Sequence, residues 1–88
     1  MRIHFWRDKQ QREVDFVVPR ARGACDAIKC KWRASAFEPR GLVTFRSHYP
    51  RGGNFVVTPD TRQPFTRKID GLEVHFTNVV DLRKLLMP

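Results

Sequence analysis

The sequence predicts an α/β domain, a mixed β-sheet with helices packed against it. Three observations carry this. Short runs rich in Val, Ile, Phe and Trp alternate with period two, and two other stretches repeat apolar residues at helical spacing. The elements then follow in the order β-β-β-α-β-β-α, which a mixed sheet with flanking helices accommodates. At 88 residues the chain makes one small domain, residues 1–88, and its seven Phe and two Trp suffice for a modest core.

Ile3 to Trp6 is short, aromatic and β-branched, and reads as the first strand. Asp8-Lys9-Gln10-Gln11 suits a turn without a glycine. Arg12 to Val18 is the second strand; alternation sets Glu13, Asp15 and Val17 on one face and Val14, Phe16 and Val18 on the other. Pro19 and Gly23 bracket a basic turn. In the third strand, Asp26 to Trp32 (DAIKCKW), Ala27, Lys29 and Lys31 share one face, and Asp26, Ile28, Cys30 and Trp32 share the other. Glu13 and Asp15 then stand beside Lys29 and Lys31 across two adjacent strands. Four charges on one sheet face are costly unless paired, so cross-strand salt bridges are expected.

Ser35, with Glu38 three residues on, predicts a capped helix start. Leu42, Phe45 and Tyr49 form its apolar stripe, and Tyr49-Pro50 its end. Phe55 to Val57 is a short buried strand. Residues 59–71, with two Pro and a Gly, read as an irregular connection. Leu72 to Phe76 is a further strand. Val79 to Met87 is a last helix, with Leu82, Leu85 and Leu86 facing inward.

Charge is the strongest bulk signal. Seventeen Lys and Arg against nine Asp and Glu give +8, and twelve of the seventeen are Arg. The planar guanidinium matches phosphate oxygens, so a polyanion is the expected partner, DNA being favoured over RNA. No run approaches the length of about 18 apolar residues that spans a membrane. Cys25 and Cys30 make neither a metal pattern nor a disulfide framework, which fits a reduced, cytoplasmic protein. His4, His48 and His75 are scattered and lack zinc spacing. Cys30 alternates with Ile28 and Trp32 toward the apolar face and is expected in the core. Trp6 and Trp32 read as strand packing, with base stacking as their functional alternative. Arg12, Arg33 and Arg40, near strand ends and the helix start, are candidates for phosphate backbone contacts. There is no G-x-x-x-x-G-K-[ST], so the chain is not itself an ATPase.

Taken together, HFWRDKQQREVDFVV, AIKCKW, the helix after it and FVVTPD resemble the PD-(D/E)XK, or restriction-endonuclease-like, superfamily. More narrowly, they are similar to the nuclease-like C-terminal domain of uncharacterised prokaryotic AAA+ ATPases. The resemblance implies a restriction-endonuclease-like core, here truncated and lacking its N-terminal helix and the acid carried there. It also implies Mg²⁺ as cofactor, with Asp15 at the metal-binding position and Lys31 at the position that activates the attacking water. At the second metal-binding position stands Lys29 instead of Glu, and an ammonium there repels Mg²⁺. Glu13, or Glu38 migrating from the following helix, is the candidate replacement acid.

Three functions follow as expectations. The first is a degenerate nuclease-like domain that binds nucleic acid or phosphate through Lys29, Lys31, Arg12, Arg33 and Arg40 without efficient cleavage. The second is a Mg²⁺-dependent nuclease with a migrated acid. The third is an interaction module, because a truncated core leaves apolar sheet uncovered, for which a second copy of the chain or an ATPase is the expected partner.

Overall fold

A computed structural model describes residues 4–10 and 12–86, the last two for their backbone only. The order is β1 (His4–Arg7), β2 (Glu13–Pro19), β3 (Cys25–Cys30), α1 (Arg40–His48), β4 (Asn54–Val57), β5 (Phe65–Ile69), β6 (Leu72–Thr77) and α2 (Val79–Leu86). The strands form one sheet in the order β1-β2-β3-β4-β6-β5. Pairing is antiparallel from β1 to β3 and between β5 and β6, and parallel from β3 through β4 to β6. The mixed α/β sheet is therefore as expected. Ile3, Leu85, Leu86 and Met87 of the expected terminal elements lie outside what is described of the side chains.

Each helix covers one face. On the α1 face, Leu42 and Phe45 bury Val14, Ala27, Val56, Val74 and Phe76. On the other, Leu82 of α2 packs on Val18, Ile28, Phe55 and Val57. Strand β4 is central and buried at all four residues, as its short apolar run predicts. No described helix is long and apolar enough to cross a membrane.

Three differences from expectation have local causes. First, β2 carries a bulge. His4 pairs with Val17 but Trp6 with Val14, so two steps on β1 face three on β2. The extra residue lies at Asp15–Phe16 and inverts the alternation. Val14 and Val17, three apart, consequently face the same α1 core, and Glu13 does not share a face with Val17. Second, α1 begins at Arg40, not near Ser35. Pro39 disfavours helical backbone at Glu38, so the chain makes only a 3₁₀ turn over Ala34–Ala36 before the helix starts. Third, β5 forms within the stretch expected to be irregular. Asp70 and Gly71, at φ 50° and 81°, make the tight turn that returns the chain into β6.

The glycine-free turn between β1 and β2 is closed by an acid. The Asp8 carboxylate accepts hydrogen bonds from the backbone N–H groups of Gln10 and Arg12, both at 2.9 Å.

Candidate functional site

The expected cluster of acids and lysines is only partly assembled. Glu13 and Asp15 each have another engagement. The Glu13 carboxylate pairs with Arg7, whose Nη2 lies 2.8 Å away. The Asp15 carboxylate accepts the Cys30 backbone N–H at 2.7 Å, continuing the β2–β3 contact past the bulge. Lys29 is only 7% exposed. Its Nζ donates to the backbone carbonyl of Glu13 at 2.9 Å. The expected salt bridge from Lys29 to Asp15 or Glu13 does not form. The same Glu13 carbonyl leaves no room for a side chain at Gly41, where a Cβ would stand 2.5 Å from it. Thus the first turn of α1, the Lys29 ammonium and the start of β2 meet at one carbonyl.

The Glu13 carboxyl lies below its usual range because Arg7 bonds it; the charges of Lys29 and Lys31 add to this. No group of three or more His, Cys, Asp or Glu able to hold a metal occurs among the described residues. Glu38 is exposed, just ahead of α1. Of the expected phosphate contacts, Arg12 pairs with Asp8 at 2.7 Å, Arg40 is exposed at the first residue of α1, and Arg33 is exposed with the Asp60 carboxylate in its field.

The opening left by these engagements lies at the carboxyl ends of the parallel strands β3 and β4, where open α/β sheets bind ligands. An open, largely apolar groove of about 410 Å³ runs there, lined by Cys30, Lys31, Trp32, Val57, Pro59 and the first residue of α2, Val79. Trp32 is 83% exposed and Val79 73%. Trp32 is thus not the packed strand residue that alternation predicts. The strand ends at Cys30, and the chain turns outward two residues later. Trp6 does pack, edge-on to Phe45 with ring centroids 5.5 Å apart.

The segment bearing Trp32 is fixed at both ends. Lys31 N–H donates to the Val57 carbonyl at 3.0 Å. Beyond it, Ala34 N–H donates to the Asp60 carboxylate at 3.0 Å, which also accepts from the Thr58 hydroxyl at 2.6 Å. Asp60 escaped the sequence reading because its role depends on β3 and β4 lying side by side; FVVTPD alone marks only a strand end. Cys30 is exposed rather than in the core. Partial burial, and then the Asp15 charge, push its thiol up, so it is protonated at neutral pH.

The Glu13 and Asp60 shifts predict how stability follows pH. Arg7 chiefly lowers Glu13, and the Thr58 hydroxyl chiefly lowers Asp60. A depressed carboxyl stabilises the fold at pH above its unfolded value, about 4, and loses that contribution as pH falls through the folded value. The urea midpoint should therefore drop as pH falls from about 5 to below 4. Asp60→Asn should flatten part of that acid limb; an unchanged limb would mean that Asp60 is unimportant to it.

No curated protein and no solved structure matches this chain. A family model described as a domain of unknown function (DUF4143) matches residues 1–79, nearly the whole of the described fold. The chain belongs to the DUF4143 family.

Proposed function

We propose that this domain is a degenerate nuclease-like module that binds nucleic acid through its basic surface, DNA in preference to RNA, and does not cut it efficiently. The observation that carries the proposal is Lys29. At the position where the restriction-endonuclease-like resemblance implies a metal-binding Glu, a lysine is buried and bonded to the Glu13 carbonyl. A fixed ammonium there opposes a divalent cation. The neighbouring acids are also committed, Glu13 to Arg7 and Asp15 to the Cys30 N–H. Burial keeps Lys29 from touching a phosphate, so contact falls to Lys31 and Arg33, on either side of the exposed Trp32. The net charge of +8 supplies the long-range attraction.

The test is fluorescence anisotropy with a labelled oligonucleotide over a salt series, with Mg²⁺ or Mn²⁺ present. Affinity should fall as salt rises. Lys31→Ala should weaken binding several-fold and lower the salt slope by about 1, while the labelled strand stays intact. Cleavage that disappears in Asp15→Ala would return the domain to the active nucleases. Binding that ignores salt and Lys31 would leave the interaction module as the better reading.

A further inference from the structure

We infer that the groove at the ends of β3 and β4 takes a single-stranded segment of nucleic acid, with a base stacked on Trp32. This rests on the proposed nucleic-acid binding and names the form of its ligand.

Four features of the groove select that occupant. The first is the indole itself. Trp32 is 83% exposed, and among the described residues no aromatic ring pairs with it. A single exposed apolar side chain is ordinary, but here the indole joins Val79, 73% exposed, and Pro59 in one contiguous apolar surface, which marks an interaction site. The second is rigidity. The bonds from Lys31 to Val57 and from Ala34 to Asp60 hold the segment on both sides of the indole. A stacking platform fixed in advance loses little entropy when a base lands on it. The third is the wall. Val57, Pro59 and Val79 extend the apolar surface from the indole, suited to the flat face of a base. The fourth is charge. Lys31 lines the groove, and the exposed Arg33 is the next residue in the chain after the indole, so the groove carries a cation of its own for a strand's phosphates with a second close by in the chain.

A duplex cannot use this arrangement. Its bases stack on one another, and only their edges reach the grooves. A single strand offers both the base face and the phosphate. Discrimination among bases is not expected, because the walls are apolar and every base has a π-face.

The experiment uses the full chain with three probes: a labelled single strand of oligo-dT, a labelled single strand of mixed sequence, and the duplex of that mixed sequence. The single strands should bind more tightly than the duplex and should quench tryptophan emission. Trp32→Ala should weaken single-strand binding by about 5- to 150-fold, the effect of removing one base–aromatic stack. Trp32→Phe, which keeps a ring, should restore most of it. Because the indole is exposed, thermal melts of both variants should match the parent, so loss of fold cannot mimic the effect. If Trp32→Ala leaves single-strand affinity unchanged, or the duplex binds as well as the single strands, the inference is overturned. The broader reading then survives provided Lys31→Ala still weakens salt-dependent binding. If none of the three probes binds in a salt-dependent way, both fail together.

Discussion

Arg46→Met is expected to lower the melting midpoint by about 15–30 °C, or to leave the chain unfolded near room temperature. Arg46 projects from α1 and is 6% exposed. Its five N–H donors are all spent inside the protein. Nε donates to the Asn54 side-chain oxygen at 2.7 Å. Nη1 donates to the carbonyls of Tyr49 and Arg51, each at 3.0 Å. Nη2 donates to the carbonyls of Cys25 at 2.9 Å and Gly53 at 2.7 Å. One guanidinium therefore ties the helix end, the following loop and the starts of β3 and β4. Among the described residues no carboxylate bonds it, and carbonyl dipoles face the charge. Burial pushes the Arg46 guanidinium down from its usual range, and the neighbouring Cys25 and Asp26 partly offset this.

Met keeps the aliphatic stem but removes all five donors; the Arg51 and Gly53 carbonyls keep the N–H groups of Cys25 and Ala27, while the Asn54, Tyr49 and Cys25 oxygens lose the guanidinium. Each buried group left unmet costs about 1–3 kcal/mol, although water reaching the loop will recover some of it. A total of about 3–5 kcal/mol consumes much of the stability of an ordinary small domain. Arg46→Lys should fall between the two, since three donors on one nitrogen cannot span five acceptors. Circular dichroism melts of the three proteins decide it. A shift of only a few degrees in Arg46→Met would mean that the loop holds itself without the guanidinium.

Gly52→Ala is the second large effect, at about 3 kcal/mol or more. Gly52 has φ 137°, a conformation that side chains rarely adopt. A Cβ there would stand 1.6 Å from the Cys25 carbonyl oxygen and 2.5 Å from its carbon. Those are backbone atoms of β3 and cannot swing aside. The loop must retreat, and with it go the bonds from Cys25 N–H to Arg51 and from Ala27 N–H to Gly53, both at 2.9 Å. Gly71→Ala is the matched control. Its φ of 81° is also strained, but nothing lies within 4 Å of the added carbon, so it should cost about 1 kcal/mol. Urea denaturation of the two variants separates strain from collision; equal losses would show that the contact with Cys25 is relieved cheaply. Because Arg46 and Gly52 serve the same loop, their effects should combine non-additively.

The legible parts of the fold are those decided by local pattern. Phe55 to Val57 is apolar without interruption and becomes the central strand. Leu42 and Phe45 sit one helical turn apart and become the contact of α1 with the sheet. Phe65 to Ile69 is harder to read because nearby prolines and the Arg67-Lys68 pair argue against a strand; the Asp70-Gly71 turn is the local signal in its favour. An edge strand tolerates such charge and is protected by it. The candidate site was less legible. Lys29 and Lys31 are marked by their spacing, but the inward turn of Lys29 depends on the Glu13 carbonyl, sixteen residues away. Trp32 comes to line an open groove only because β3 ends two residues earlier and β4 lies parallel beside it. Pairings between distant segments leave no periodic trace in a single sequence.

The bulge in β2 has a consequence for how the sequence can change over time. Its one extra residue acts as a phase marker within the strand: upstream of it Val14 faces the core, and downstream of it Val17 does. Deleting a single codon at Asp15 or Phe16 would restore simple alternation. Val14 and Val17 would then stand two apart and still share the α1 face, so β2 would lose its bulge and keep its core phase. The same deletion among Lys9 and Gln10, in the exposed turn, would shorten a loop and leave the phase of β2 intact. Single-residue losses among descendants of this chain should therefore be tolerated in that turn and at the bulge alike, where the exposed Phe16 belongs to neither core cluster.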